Sequence, residues 1–468
     1  MQFNTWEFFW FCSTVLLLYW CAYKYLRLQN ILILIASFYF YSQLHYSFVF
    51  YLGGLILVAF FSGLWINKIK AFKKPALVLS IILLSSCLVI LKYTNFGIDI
   101  VNGMGARFNN LKFLVPVGLS FYTFSTIGYV TDVYRKKIEP ERDLMALGAY
   151  ISFFPHLLAG PIPAATKHLR QFKQSRVFHL SNIEPAVRKI IWGLFKKMVV
   201  ADNISISVDY CFARADSLNS FSLYLGIVLF SFQIYADFSA YSDIARGVAK
   251  FFSIDLFQNF KSPFLSRNPG EFWRRWHTSL TRWLTDYLYK PLGGRSLGKL
   301  GSIAVILFIF LFSGLWHGSS WNFVLWGLLN GVYYVVYLMC NQIKHYDEAP
   351  DRHRWLPSLA TLGKVLLTFH LITLSRILFK AENLGKAKEY WNSLISNHSF
   401  NWPPTFLYAH IHWCILLLLM EWMQRFRQHP LDISNNKWIR YAGYGAIALI
   451  VILYHKKLSL QEYYYFRF

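Results

Sequence analysis

Charge is scarce in this chain: Asp, Glu, Lys and Arg make up 15% of 468 residues, against 56% hydrophobic ones. The charges cluster between long apolar runs instead of spreading along amphipathic faces. A soluble protein built this way would have many buried helices and almost no surface, which excludes an ordinary soluble class. Cysteine is also sparse. Cys12, Cys21, Cys87, Cys211, Cys340 and Cys414 fall mostly inside apolar runs without a Cys-x-x-Cys pair, so they are expected as small buried hydrophobes, and no metal site is expected. The start, Met1-Gln-Phe-Asn-Thr-Trp-Glu7, lacks the basic region of a cleavable signal, so the apolar run 8–23 is expected to remain as a span. The sequence shows no lipidation motif, internal repeat, low-complexity tract or separable soluble domain.

Acidic residues are the scarcer charge: 23 Asp and Glu face 47 Lys and Arg, a formal net charge of +24. In a soluble chain this would suggest nucleic acid, but no helix-turn-helix or RNA-binding pattern accompanies it, so no nucleic-acid partner is expected. Orientation is the better account, because Lys and Arg gather in the short cytoplasmic loops of membrane proteins. Membrane lipids or a phosphate-bearing cofactor also suit the charge.

What the chain does have is a series of apolar runs near the ~20 residues that cross ~30 Å of hydrocarbon. Spans are predicted at 6–23, 31–41, 48–66, 75–90 and 113–130, and again at 359–379, 406–422 and 441–454, the second short enough to be tilted or partly inserted. Lys24 and Arg27, then Lys68, Lys70, Lys73 and Lys74, then Arg135, Lys136, Lys137 and Arg142 lie in alternate loops, which places the N-terminus outside the cytoplasm. Between about 115 and 330 the apolar runs are interrupted by Pro, Gly, His and charged residues. Such breaks are tolerated at membrane depth only where protein or a wet cavity shields the backbone, so short, re-entrant or discontinuous helices are predicted there. The Pro- and Gly-broken segments 116–135 and 153–163 read as cavity-lining turns, with core packing the commoner role for any one residue, His156 included.

Three segments carry residues suited to chemistry. In Ser313-Gly-Leu-Trp-His-Gly-Ser-Ser-Trp-Asn-Phe-Val-Leu-Trp326, His317 stands among glycines directly after an apolar run, and an ionisable group at that depth is paired or functional. Gly314 and Gly318 permit close approach of backbone or substrate, and Trp316, Trp321 and Trp326 can wall a pocket. A packing histidine at a helix crossing explains the same residues equally well. Upstream, 268–289 reads as one capped helix, with Asn268 as N-cap, Pro269 first, Glu271 as its partner and Pro291 as the stop. Within it Glu271 and Arg275, and Arg282 and Asp286, stand four apart on one face, while Trp276 and Trp283 share another. Dense Trp and Arg around His277 suit either an interfacial anchor or a polar funnel where guanidinium groups meet phosphates. The third segment, Tyr235-Ala-Asp-Phe-Ser-Ala-Tyr-Ser-Asp-Ile-Ala-Arg246, puts Asp237 and Asp243 near the membrane, where carboxylates need partners. Arg246 and the Arg-rich helix are the candidates, and ion-pair support is favoured over catalysis.

These blocks, in the order 116–135, 153–163, 235–247, 268–294 and 313–326, together with the Phe3-Asn-Thr-Trp-Glu-Phe8 start, resemble the membrane-bound O-acyltransferase family in its bacterial AlgI-like branch, over nearly the whole chain. The resemblance implies an all-α polytopic membrane protein of the bacterial plasma membrane. It implies a single transmembrane domain over 1–468, with a catalytic core at about 115–330, C-terminal spans at 359–468, and short and re-entrant helices around a central funnel. It implies His317 as the family's signature histidine and His277 as the second active-site polar residue. The implied activity is O-acetyl transfer from a cytoplasmic thioester, acetyl-CoA, toward an extracytoplasmic polysaccharide, with no bound cofactor. On that reading Arg274, Arg275 and Arg282 contact donor phosphates, Trp276, Trp316 and Asn322 contact donor or substrate, and Asp237 and Asp243 give structural support. With no appended globular domain or serine-nucleophile motif in the sequence, an extracytoplasmic SGNH-type acetyltransferase or polysaccharide-modification complex is the expected partner.

Histidine's ordinary pKa of about 6.5 suits His317 to deprotonating an acceptor hydroxyl, with His277 or nearby Trp and Asn donors steadying the oxyanion. An acetyl-imidazole on His317 is the alternative route. Competing readings are DltB-like D-alanyl transfer to teichoic acid, a lipid or protein O-acyltransferase, and, from another class, a transporter, which also combines broken helices with intramembrane charge. The paired halves of many transporters are not visible, and the Trp-Asn-Phe-Val-Leu-Trp continuation favours the acetyl-transferring branch.

Overall fold

The computed structural model describes residues 1–69, 71–340, 356–399, 401–427, 429–455 and 462–467. Lys70, assigned above to a cytoplasmic loop, lies outside them. Every regular element among the described residues is helical. In chain order they begin with α1 (Trp6–Cys21), α2 (Leu26–Ser42), α3 (Phe48–Lys68), α4 (Lys73–Gly103), α5 (Leu119–Tyr134), α6 (Leu144–Ser152), α7 (Phe154–Leu157), α8 (Ala165–His168) and α9 (Ile183–Leu194). There follow α10 (Asp202–Ala213), α11 (Ser220–Phe251), α12 (Pro269–Arg275), α13 (Thr278–Leu284), α14 (Gly298–His317) and α15 (Trp321–Cys340). The last are α16 (Leu359–Lys380), α17 (Leu384–Ser396), α18 (Thr405–Tyr408), α19 (Ile411–Met423) and α20 (Lys437–His455). Helices apolar all round belong in a large core or a bilayer. Among the described residues, seven segments have the length and composition to cross one: α3, α4, α11, Gly294–His317, α15, α16 and Thr405–Met423. The chain is a multi-pass membrane protein.

Three predicted spans have different bounds, each for a local reason. The 31–41 run extends back to Leu26, because Gln29 and Asn30, which look like loop residues, donate to Tyr19 O at 3.2 Å and Phe172 O at 2.8 Å. The 75–90 run continues to Gly103. Its polar second half is satisfied within the helix and by the following loop, as where Thr94 Oγ1 donates to Ile90 O at 2.7 Å and Asn95 Nδ2 to Leu111 O at 2.8 Å. The 113–130 run becomes helical only at Leu119, behind Gly118 at φ 80°, where a Cβ would lie 2.6 Å from Leu157 O. Of the cysteines, Cys12, Cys211 and Cys414 are buried, whereas Cys21 and Cys340 are exposed on their helices.

Contacts group the chain into two units that interleave in sequence, Met1–Ile190 with Ile244–Gln258, and Ile191–Asp243 with Asn259–Phe468. In the first, Tyr19 Oη donates to Phe252 O at 2.9 Å and His156 Nε2 lies 3.1 Å from Tyr150 O, so His156 packs in that unit's core. In the second, α14 and α15 cross closely at glycines: a Cβ on Gly314 would lie 2.2 Å from Phe323 O, and one on Gly327 2.3 Å from Phe310 O. Small residues at a crossing let two membrane helices approach backbone to backbone. That crossing fixes the end of α14, and with it His317.

Candidate active site

His317 is the last residue of α14, which stops because Gly318 is extended at φ −163°. Its imidazole is 4% exposed and stands among rings, with centroids 4.8 Å from Trp316, 5.1 Å from Trp326 and 5.2 Å from Phe379. Histidine among apolar rings has little choice of orientation, so its position is set by packing.

The single helix predicted over 268–289 is broken, and the break falls on His277. Asn268 Oδ1 accepts from Glu271 N at 2.7 Å, as the capping pattern predicts. The helix then ends at Arg275, and His277 takes a left-handed conformation, φ 43° and ψ 54°. A new helix, α13, starts at Thr278, and the N–H groups of Thr278 and Ser279 are met by Asn259 O at 2.9 Å and Asn259 Oδ1 at 3.2 Å. A loop residue distant in sequence therefore caps the second helix and overrides helical propensity. Left-handed backbone costs a non-glycine residue about 1–3 kcal/mol and is concentrated at functional sites. The break also separates Trp276 from Trp283, which no longer share a helix face. His277 packs edge-on against Phe238 at 4.8 Å and Trp316 at 6.0 Å, and burial pushes its pKa down to about 3.

That depression has a sign. The folded state refuses the proton until about pH 3, whereas the unfolded chain binds it near 6.5, so stability is complete above about pH 6.5 and falls as pH drops toward 3. Between pH 7.5 and pH 5 the wild type will lose about 2 kcal/mol more than His277→Gln, at ~1.4 kcal/mol per pH unit. Unfolding of both proteins in detergent at the two pH values checks this; parallel losses would contradict it.

Both histidines line one cavity of about 590 Å³, together with Trp276 and Arg274. Arg295 and Lys299 also line it. Lys299 and His317 are 18 positions apart on α14, ~27 Å at about 1.5 Å per residue, so the cavity is long as well as large. Of the other expected contacts, Arg275 is held by Glu271 at 2.7 Å, Arg282 is exposed and outside the cavity lining, and Trp316 packs beside both histidines. Asn322 donates to Ala381 O at 2.7 Å, tying the start of α15 to the end of α16. Arg295 and Lys299 escaped the sequence reading, although their signal was present in a basic, glycine-rich stretch immediately before an apolar run.

A second chamber, of about 10 Å³, shares His317 and Trp276 with the cavity as lining residues; Trp326, Phe379 and Arg376 also line it. Each of the two aspartates also meets a lysine that the sequence did not single out. Lys196 reaches Asp243 at 2.7 Å and Lys197 reaches Asp237 at 2.9 Å, both from a π-helical turn, Phe195–Ala201.

The model of the membrane-bound O-acyltransferase family, MBOAT, matches residues 141–378. The chain is 33% identical to the probable alginate O-acetylase AlgI of Pseudomonas putida over 79% of its own length and 75% of that protein's. It is 30% identical to the peptidoglycan O-acetyltransferase of Helicobacter pylori, with 93% and 91% covered. To the teichoic acid D-alanyltransferase of Bacillus subtilis it is 24% identical, with 58% and 70% covered.

Proposed function

Because this chain belongs to the membrane-bound O-acyltransferase family, we propose that it moves acetyl groups from cytoplasmic acetyl-CoA toward an extracytoplasmic polysaccharide, with His317 as the base that activates the acceptor hydroxyl. The O-acyltransferase activity follows from the family. The observation that carries the finer reading is the single long cavity with Arg274, Arg295 and Lys299 on its lining and two buried histidines on the same wall. A thioester donor with a phosphate-bearing head and a slender arm suits it: cations bind the head, and the apolar stretch between Lys299 and His317 takes the arm. Lys290, Arg295 and Lys299 cluster just before and at the start of α14, and by charge bias that end is read as cytoplasmic.

At the other end the chemistry needs a base, a place for the oxyanion and exclusion of water. His317, on the cavity wall, takes the first role, and His277, held neutral by burial, can exchange hydrogen bonds but not carry a proton as imidazolium at working pH. The relatives named as a probable alginate O-acetylase and a peptidoglycan O-acetyltransferase support a polysaccharide acceptor, reached through an extracytoplasmic partner of the SGNH type.

Purified protein given labelled acetyl-CoA and acceptor tests the donor. In the double variant Arg295→Gln, Lys299→Gln the donor KM is expected to rise about tenfold or more with kcat little changed, the signature of lost uniform binding. An unchanged KM would remove acetyl-CoA's head from that end of the cavity.

A further inference from the structure

We infer that Arg376 is a catalytic residue whose guanidinium donates to the thioester carbonyl oxygen and holds the negative charge that forms there during transfer. The inference rests on the acetyl-transfer reading above. Arg376 interrupts an apolar run on α16 and is 4% exposed. Taking a cation out of water costs several kcal/mol unless it is matched. Among the described residues no carboxylate pairs with it, and its Nη1 has no acceptor. Glu271, on the neighbouring α12, is committed to Arg267 at 3.0 Å and Arg275 at 2.7 Å. What surrounds the guanidinium is aromatic: Cζ lies 4.8 Å from the Trp276 ring centroid, 5.5 Å from Phe264 and 5.9 Å from Phe272. Ring faces hold a flat cation in place but leave its in-plane N–H donors unused.

Arg376 borders the chamber of about 10 Å³ that His317 also borders. Space on that scale takes about one water-sized group, which fits a carbonyl oxygen on its carbon. A donor arm in the large cavity meets His317 at the boundary between the two spaces, so its acyl carbonyl enters the chamber beside a preoriented cation. In the reaction the acceptor oxygen bonds to the carbonyl carbon while its proton passes to His317, and the C=O π pair moves onto the oxygen facing Arg376. The intermediate collapses as the C–S bond breaks, its electron pair leaving with sulfur, and His317 returns the proton to the thiolate. Ester and thiol result, and Arg376 keeps all its protons. Such preoriented charge at the developing oxyanion is worth most in a dry site.

The test uses the full-length protein in detergent, labelled acetyl-CoA and a melting curve for each variant. Arg376→Met is expected to lose about 10²- to 10³-fold in kcat with donor KM within about threefold of wild type, and Arg376→Lys about tenfold, because an ammonium lacks the flat fork. In Arg376→Ala, added methylguanidine restores rate saturably while N-methylurea, of the same shape without charge, does not; a packing role would respond to both. A folded Met variant with near wild-type kcat overturns the inference, as does equal rescue by the urea. If the Met variant does not fold, the Lys variant decides, and wild-type kcat there overturns it. Wild-type protein that transfers no acetyl would defeat the proposed function itself, whereas transfer that depends on His317 and survives loss of Arg376 defeats only the inference.

Discussion

His317→Gln will transfer acetyl groups about 10²- to 10⁴-fold more slowly than wild type at an unchanged donor KM. Glutamine keeps a polar side chain of similar reach at the end of α14, so the ring cage of Trp316, Trp326 and Phe379 loses one flat neighbour and the fold survives. What disappears is a group able to take and return a proton near neutral pH. The KM stays level because Arg295 and Lys299, assigned to the donor's head, lie at or before the start of α14, 18 or more positions from the substitution. Steady-state rates with labelled acetyl-CoA, read beside a melting curve that shows the variant folded, make the comparison. Turnover within threefold of wild type would end the assignment of His317 as base and return it to a packing histidine at the crossing of α14 and α15.

How much of this was legible in the sequence depends on whether a residue's role is set locally. Membrane embedding was, because span length and apolar composition are local properties, and α3 and α16 begin and end close to where hydropathy puts them. The Asn268 cap was too, since its partner is three residues away. His277 marks the limit. Its neighbours favour one continuous helix, and nothing within 268–289 announces a break; the cause is Asn259, whose carbonyl and side chain take the N–H groups of the next helix. The lysine partners of Asp237 and Asp243 were hidden for the same reason. Nearby arginines were the visible candidates, while the lysines that hold them come from 40 and 47 positions upstream. Arg376 stands inside an apolar run, but only the fold puts Trp276 under its guanidinium and His317 on the same chamber wall.

Lys197→Met is expected to cost about 3–5 kcal/mol of stability, the loss typical of breaking a buried ion pair from one side. The ammonium of Lys197 is 1% exposed and lies 2.9 Å from both Asp237 and Asp202. It also donates to Glu462 O at 3.2 Å and sits 4.5 Å from the Tyr463 ring centroid. Removing it leaves two carboxylates facing each other in a buried site, and the second oxygen of Asp237 is already engaged by Tyr464 N at 2.8 Å, so Asp237 cannot turn away to water. Adding Asp237→Asn to Lys197→Met should recover part of the loss, because the pair is coupled and its members are not additive. Denaturant unfolding of the single and double variants measures this; a single-variant loss under about 1 kcal/mol would mean that water or another cation already serves the aspartates. Activity should fall as well. Asp237 precedes Phe238, whose ring packs at 4.8 Å against His277, so the π-helical turn carrying Lys196 and Lys197 holds α11 at the point where it positions the second histidine. Such turns recur at functional sites because the wider turn redirects side chains that a regular helix would place elsewhere. Here it sends two consecutive lysines to two aspartates on α11, Asp243 and Asp237, and so links the stability of the second unit to the geometry of its cavity.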